Sequence, residues 1–338
     1  MKNRVAIVLT VSVLLAALAF PAGAQTTKAA GSKKIRIGAI YLALEAPVYQ
    51  AISKHAKAYA ATHGIDLVEL DGKFDQSMMT TQMENLVASK VDGIVYCLLE
   101  GKSAAYDIAA AQKKNIAVAT FAIHHDSSIT KAPFVGLDER EAGRLGGVEA
   151  GKYYKKTFGN AAAKIGVVEM SELSASTVRS DGFIEGFLSE VPKALVVARV
   201  NGEGKKDKAM AVTEDLIQRH PELNVIYGAN GDQGLGALAA LEAQGRGTIA
   251  TEMVISHDGS ESEVLKLIDP KSALKIAIAN QAQLLANAVL DVTMEMIQGK
   301  RPLYSDAQII VPPKILRGDN PDDAIKFINE QYFGNLSK

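Results

Sequence analysis

Short apolar runs alternate with longer amphipathic stretches along almost the whole chain. The runs are predicted as β-strands at Ile35–Tyr41, Asp66–Leu70, Gly93–Leu98, Ile116–Phe121, Lys164–Glu169, Ala194–Val200, Asn224–Tyr227, Met253–Ser256 and Leu274–Ala279. Unbroken apolar strands are typical of parallel sheets that helices cover on both faces. Strand–helix alternation over this length predicts a doubly wound α/β architecture, and it divides into two similar halves near Gly136-Leu137-Asp138.

The first residues resemble a secretory leader. Lys2 and Arg4 form a basic start, and the apolar run from Val5 to Phe20 follows. Ala22-Gly23-Ala24 then offers the small-x-small pattern of a cleavage site. A membrane anchor is the alternative, but the run is shorter than the ~20 residues that span a bilayer. We therefore expect residues 1–24 to be a signal peptide, cleaved before Gln25, and the mature protein to be secreted.

Charge and cysteine content exclude several partners. Without Lys2 and Arg4, 35 basic residues stand against 38 acidic ones, and no basic block suggests nucleic acid or an anionic membrane. Cys97 is the only cysteine, so an intramolecular disulfide is impossible. Its apolar neighbours indicate a small buried hydrophobic residue rather than a reactive thiol.

The chain lacks the common signatures of enzymes and cofactor sites. It has no phosphate-binding Walker loop, no G-x-S-x-G nucleophile elbow and no H-E-x-x-H pair. The glycines between Gly228 and Gly234 do not form G-x-G-x-x-G. We therefore expect a protein that is not an enzyme and that carries no cofactor.

His124-His125-Asp126 is the most metal-like cluster. Adjacent histidines on an extended chain point to opposite faces, so both cannot easily bind one ion, and we expect no metal site. The cluster does follow a predicted strand, and open α/β sheets bind ligands at the carboxyl ends of their strands. This position makes His124 a candidate ligand contact.

Other polar residues also come just after predicted strands. Tyr41 and Glu45 end or follow the first strand, and Asn230, Asp258 and Asn280 follow three later ones. Amides and carboxylates suit neutral polyhydroxyl ligands, whose hydroxyl groups both donate and accept hydrogen bonds. Taken singly, each residue is equally compatible with ordinary turn chemistry.

Several landmarks occur in order over most of the chain: Ile35-Arg-Ile-Gly-Ala-Ile, Ala46-Pro47-Val48-Tyr49, Val91-Asp-Gly-Ile-Val, Arg179-Ser-Asp-Gly182-Phe183, Gly228-Ala-Asn230, Leu235-Gly-Ala-Leu and His257-Asp258-Gly259. With these, the chain resembles the type I periplasmic sugar-binding proteins of bacterial ABC transporters, the group that includes ribose- and arabinose-binding proteins. The resemblance covers roughly residues 35–311.

The resemblance implies a ligand site in a cleft between two lobes. It places Arg179, Asn230, Asp258 and Asn280 on the ligand from the second lobe. It also implies three crossings between the lobes, near Leu137, Asn280–Gln281 and Gln308–Ile310. The expected first lobe is then 35–137 plus 281–309, and the second is 138–280 plus 310–338. Closure about this hinge buries the ligand.

The first lobe departs from the family pattern. Ala122-Ile123, Leu98 and Leu42 stand where sugar binders carry polar groups, and Val48-Tyr49 occupies the usual aromatic pair. An unpaired buried hydroxyl costs ~1–3 kcal/mol. The ligand is therefore expected to turn a less polar side toward this lobe. A deoxy sugar, a small polyol, a cyclic signal molecule or a heterocycle stacked on Tyr41, Tyr49 or Phe121 would do so. Alternatively, His124 or His125 restores the polarity.

The expected function is capture of a small carbohydrate-like ligand and its delivery to an ABC permease by a monomeric protein. A binding protein that serves a chemoreceptor or sensor kinase shares every pocket feature and stays an alternative. The ligand could also be a nucleoside or a signal furanose. A hydrolase or isomerase is disfavoured because no acid–base pair or nucleophile stands out.

Overall fold

The computed structural model describes residues 34–332 and 336. The predicted signal peptide, residues 1–24, lies outside this part of the chain. The strands are β1 Ile35–Tyr41, β2 Ile65–Asp71, β3 Gly93–Tyr96, β4 Ala117–Phe121, β5 Phe134–Gly136, β6 Lys164–Glu169, β7 Leu195–Asn201, β8 Val225–Gly228, β9 Met253–Asp258, β10 Leu274–Ala279, β11 Gln308–Ile310 and β12 Lys314–Arg317.

The helices fill the intervals between these strands. They are α1 Pro47–His63, α2 Gln76–Ala88, α3 Gly101–Gln112, α4 Glu139–Phe158, α5 Ser174–Glu190, α6 Lys206–Arg219, α7 Gly231–Ala243, α8 Glu261–Ile268, α9 Ala282–Ile297 and α10 Pro321–Gln331. None of the helices in residues 34–332 combines the length and apolar character needed to cross a membrane.

The strands form two six-stranded sheets, which confirms the predicted fold of two α/β lobes. The first sheet has the order β11-β5-β4-β3-β1-β2, and all its pairs are parallel. The second has the order β12-β10-β9-β8-β6-β7. Its edge strand β12 runs antiparallel to β10, so this sheet is not wholly parallel as expected.

Burial explains why these segments became strands. Every residue of β3, β4, β8 and β10 is buried, because helices cover both faces of each sheet. The outer strand β7 has no fully buried residue. Central strands are therefore buried throughout, whereas the edge strand β7 is partly exposed.

Three connections within residues 34–332 link the two sheets. The first lies between β5 and α4, the second between β10 and α9, and the third between β11 and β12. Ile310 pairs with Gly136 in the first sheet, so the third connection is 311–313 and the sequence-based boundary before residue 310 is one residue early. We propose lobes of 34–137 plus 281–310 and 138–280 plus 311–332.

Candidate ligand-binding site

A cavity of about 370 Å³ lies between the lobes, where loops leave the carboxyl ends of strands from both sheets. This volume is typical of small-molecule sites. The first lobe contributes Leu42, Glu45, Ala46, Pro47, Val48, Tyr49, Ile52, Phe74, Ala122, Ile123 and Leu285. The second contributes Glu139, Met170, Leu173, Ala175, Arg179, Gly204, Lys205, Asn230, Gly231, Asp232, Asp258, Ser260, Glu263 and Asn280, and Leu137 lies at the first crossing.

Arg179 enters the cavity from α5 and is held by two protein partners. Its Nε donates to Oε2 of Glu139 at 2.7 Å, and its Nη1 donates to the Ala229 carbonyl at 2.6 Å. Burial alone would lower the pKa of Arg179, but the Glu139 carboxylate raises it above the ordinary value. Among the described residues, Nη2 has no hydrogen-bond partner. The guanidinium therefore presents one fixed, charged donor to the cavity.

Glycines bring the two helices that carry this ion pair into close contact. A Cβ at Gly143 of α4 would overlap the Arg179 carbonyl of α5, and one at Gly182 of α5 would overlap the Arg140 carbonyl of α4. Because both clashes are with backbone, neither can be relieved by a side-chain rotation. The absence of side chains at these glycines thus lets α4 and α5 approach closely enough for Glu139 to pair with Arg179.

Asp258 ends β9 and ties two neighbouring loops together. Its Oδ2 accepts from the Gly231 N–H at 3.1 Å, and its Oδ1 accepts from Nδ2 of Asn280 at 3.0 Å. Burial raises the pKa of this carboxyl, and the Arg179 charge only partly opposes the effect. Asp258 also has a φ of 104°, a region that non-glycine residues rarely adopt. Such strain is common at ligand sites.

Two further acidic groups flank Asp258. Asp232 lies in the first turn of α7, and burial raises its pKa. Glu263 closes a capping box at the start of α8, accepting from the Ser260 N–H at 2.7 Å, and its other oxygen lies 2.6 Å from Oγ of Ser256. Burial, followed by the Asp258 charge, raises the pKa of Glu263. Glu263 is consequently a neutral acid over part of the physiological range.

Asn230 caps α7 and is also held by the protein. Its Oδ1 accepts from the Gln233 N–H at 2.8 Å, and its Nδ2 donates to the Gly204 carbonyl at 3.0 Å. Each group retains capacity for one further hydrogen bond. The second lobe therefore offers a set of polar groups that are already oriented before a ligand arrives.

The first-lobe side of the cavity is almost wholly apolar. Among the described residues that line this side, Glu45 and Tyr49 alone have polar side chains. Glu45 is exposed at the rim. Tyr49 accepts a hydrogen bond from the Cys97 thiol at 3.6 Å, and burial keeps the pKa of its hydroxyl well above the ordinary value. The cavity thus has one polar and one apolar wall.

The family comparison agrees with this two-lobed geometry. Residues 37–301 match the model of the periplasmic binding protein domain. The chain belongs to this family.

Several relatives of this periplasmic binding protein are named as binding proteins of import systems. It is 23% identical over 304 residues to the ribose import binding protein of Bacillus subtilis, covering 89% of this chain and 95% of that one. It is 30% identical to an ABC transporter periplasmic-binding protein of Escherichia coli over 79% of this chain and 82% of the other. A solute-binding protein from Actinobacillus succinogenes, solved with D-allose, shares the fold at a TM-score of 0.77 and 18% identity, over 86% of this chain and 100% of that one.

The structure brings six of the eight predicted site residues together. Lining the cavity are Arg179, Asn230, Asp258, Asn280, Tyr49 and Glu45. Whether they contact a ligand stays a prediction.

Tyr41 and His124 do not line this cavity. The Tyr41 side chain is buried in the first lobe and donates to Oε1 of Glu69 at 2.8 Å. His124 stacks on Phe134 with ring centroids 3.5 Å apart and lines a separate groove between the lobes. In the same loop, a ring nitrogen of His125 lies 3.2 Å from the Thr130 carbonyl. Neither histidine therefore restores the polarity of the first-lobe wall.

Sequence reasoning missed Glu139 and Glu263, which both line the cavity. Neither directly follows a strand; both lie in the first turn of a helix. Their signals were present, since Asp138-Glu139 follows an apolar run and Ser260-x-x-Glu263 is a capping-box sequence. Helix starts at the carboxyl edge of a parallel sheet are therefore candidate site positions, as are the loops that precede them.

Proposed function

We propose that this periplasmic binding protein captures a small carbohydrate in the interlobe cavity and delivers it to an ABC permease. The observation that carries the proposal is the polar wall of the second lobe. Arg179, Asn230, Asp232, Asp258 and Asn280 converge there on one cavity of monosaccharide scale. Carboxylates and amides beside a fixed guanidinium match the donor and acceptor groups of adjacent sugar hydroxyls. The names of the ribose import relatives agree with this ligand class.

The architecture supports a mechanism of hinge closure. All three connections between the lobes are short, and two of them, at Leu137 and Asn280, border the cavity. Rotation about such connections opens and closes the cleft without unfolding either sheet. Closure also changes the relative position of the two outer lobe surfaces, which a permease can recognise.

The same contacts favour binding over chemical conversion. Arg179 and Asp258 are both fixed by protein partners, which suits them to orienting a ligand. The matched family consists of binding domains. We propose that the ligand leaves the protein unaltered.

The ligand class can be tested by thermal unfolding and calorimetry of the purified protein with a panel of sugars, polyols and nucleosides. A true ligand at 100 times its Kd should add about 2.7 kcal/mol to the free energy of unfolding. Absence of any response to sugars and polyols, or turnover of any compound, would refute the proposal.

A matched pair of variants locates the site. Asp232 and Asp207 each occupy the second position of a helix, α7 and α6, but only Asp232 lines the cavity. Asp232→Asn should weaken ligand binding at least about tenfold, because a hydrogen bond to a charged group contributes about 1.5–3 kcal/mol. Asp207→Asn should leave the affinity unchanged. Equal effects of the two variants would show that the ligand lies elsewhere.

Localisation and partners belong to the same proposal. We expect export to the periplasm with Gln25 as the first mature residue, which N-terminal sequencing of periplasmic extract checks. We expect a monomer, which sedimentation measurements check. Cross-linking of the liganded protein in its own membranes should capture a permease. Capture of a chemoreceptor or sensor kinase alone would favour the sensing role.

A further inference from the structure

The apolar half of the cavity forms a continuous surface, called here the first-lobe wall. It comprises Leu42, Val48, Ile52, Phe74, Ala122 and Ile123. These residues come from the loops after β1, β2 and β4 and from the first turns of α1. None of their side chains can donate or accept a hydrogen bond.

Three backbone donors in this wall are also engaged. The Ala122 N–H donates to the Val135 carbonyl at 3.0 Å, and the Ile123 N–H donates to the Phe121 carbonyl at 2.8 Å. The Phe74 N–H donates to the Leu42 carbonyl at 3.0 Å. A ligand hydroxyl pressed against this wall would therefore lose its water without gaining a donor from these groups.

Two polar side chains border the first-lobe wall, but they leave its surface apolar. Glu45 is exposed at the rim, where solvent reaches it. The Tyr49 hydroxyl accepts from Cys97 and keeps one proton to donate, so it can satisfy a single ligand oxygen at the edge of the wall. At the centre of the wall, no side chain offers a hydrogen-bond partner.

We propose that the cavity selects a deoxy sugar, whose hydroxyl-bearing side faces the second lobe and whose methyl or methylene side packs on the first-lobe wall. This inference rests on the proposed carbohydrate function and specifies its ligand. The opposite wall carries Arg179, Asp232 and Asp258, so the two sides of the ligand must differ in polarity. A sugar with hydroxyl groups all around would leave at least one of them unpaired.

An apolar pocket rejects an analogue that adds a hydroxyl by up to about 10²-fold. We therefore expect a deoxy sugar to bind between tenfold and a hundredfold more tightly than its parent. The lower limit corresponds to about 1.4 kcal/mol.

The test is calorimetric titration of the purified protein with matched pairs of sugars. The pairs are D-fucose and D-galactose, L-rhamnose and L-mannose, and 5-deoxy-D-ribose and D-ribose, which differ by one hydroxyl. In the pair that contains the tightest binder, the deoxy member should bind at least tenfold more tightly. Equal affinity within that pair, or a tighter parent sugar, would overturn the inference while leaving the carbohydrate function intact. Binding by no member of any pair would also overturn the inference, and the carbohydrate function would fail with it only if the wider panel of sugars and polyols gave no response.

A variant then assigns the preference to the wall. Ala122 has a φ of 63°, which asparagine adopts more readily than alanine, so Ala122→Asn places an amide in the wall without backbone strain. It should reduce the preference for the deoxy sugar to less than threefold. The exposed Ala250, outside the cavity, supplies the control Ala250→Asn, which should leave the ratio unchanged. A folded Ala122→Asn protein with the wild-type ratio would show that the wall does not select.

A second variant provides the same test if the Ala122→Asn protein does not fold. Ile123→Thr keeps a β-branched side chain and introduces a hydroxyl at the next position of the wall. It should shift the ratio in the same direction. An unchanged ratio in this variant would count against the inference in the same way.

Discussion

Removal of the Arg179 side chain tests whether one residue both stabilises the second lobe and binds ligand. In Arg179→Ala the Glu139 carboxylate loses its ion pair, and the Ala229 carbonyl loses its donor. The exposed fractions of the two side chains are 14% for Arg179 and 9% for Glu139, so the pair is buried. Truncation therefore strands a charge that is largely removed from solvent.

The magnitude follows from this burial. Breaking one partner of a buried ion pair costs about 3–5 kcal/mol, because the remaining charge stays uncompensated. For a protein of this size, each kcal/mol lowers the Tm by about 2–4 °C. We expect Arg179→Ala to lower the Tm of the unliganded protein by roughly 10 °C and to abolish sugar-induced stabilisation. A solvent-exposed arginine at this position would instead leave the unliganded Tm almost unchanged.

A double variant separates the two roles. Arg179→Ala with Glu139→Gln removes the stranded charge and should recover at least half of the lost stability, while ligand binding stays absent. Arg140→Ala is the control, because the Arg140–Glu185 pair is half-exposed and such pairs contribute about 0–1 kcal/mol. An unliganded Arg179→Ala protein as stable as Arg140→Ala would refute the reasoning, and so would full ligand affinity in the double variant.

Three other substitutions test separate parts of the structure. Glu263 has a raised pKa, so between about pH 5 and 8 the folded protein holds a proton that the unfolded chain has released, and stability falls as the pH rises. Glu263→Gln mimics the protonated acid. In urea unfolding at a series of pH values, the variant should be as stable as wild type near pH 5 and more stable near pH 8. The same pH dependence of stability in both proteins would contradict this. Gly143→Ala should lower the free energy of unfolding by about 1–3 kcal/mol and weaken ligand binding, because the new Cβ would overlap the Arg179 backbone. A variant more stable than wild type would show that α4 and α5 can move apart without cost. Tyr41→Phe removes the hydrogen bond to Glu69 and should lower the free energy of unfolding by about 0.5–1.5 kcal/mol. Calorimetry should show an unchanged ligand affinity. A tenfold loss of affinity would show that Tyr41 belongs to the ligand site.

Long buried strands were predictable from sequence, and short edge strands were not. The predicted bounds of β1, β6 and β10 match the structure, because each is a mainly apolar run between polar loops. β5 and β11 have only three residues each, too few to show any periodicity. β12 joins its sheet through pairing with β10, a long-range contact that local pattern does not encode.

Ligand-binding residues are expected just after the carboxyl ends of parallel strands. This expectation identified residues of the second-lobe side of the cavity, but it did not predict the direction of every side chain. Asp258 and Asn280 end or follow strands and line the cavity. Tyr41 also ends a strand, yet its ring packs edge-on against Phe121 in the core. Alternation along a strand sends successive side chains to opposite faces, so the last residue of a strand can point away from the cavity. The sequence therefore predicts which loops border the cavity, but not the direction in which each of their side chains points.

The unequal walls suggest which interactions close the cleft. A ligand shifts a two-state equilibrium only through interactions that differ between the states. Under the proposed function, a sugar held by Arg179 and Asp258 keeps those partners whether the cleft is open or closed, because both residues belong to one lobe and are fixed by protein partners. Closure differs from the open state in the packing of the ligand on the first-lobe wall. Burial of an apolar ligand surface against Val48 and Ile123 then supplies the free energy of closure, at about 25 cal/mol per Å². A sugar with hydroxyl groups on both sides would accordingly occupy the second lobe and yet fail to draw the lobes together, so its presence would not be signalled to a permease.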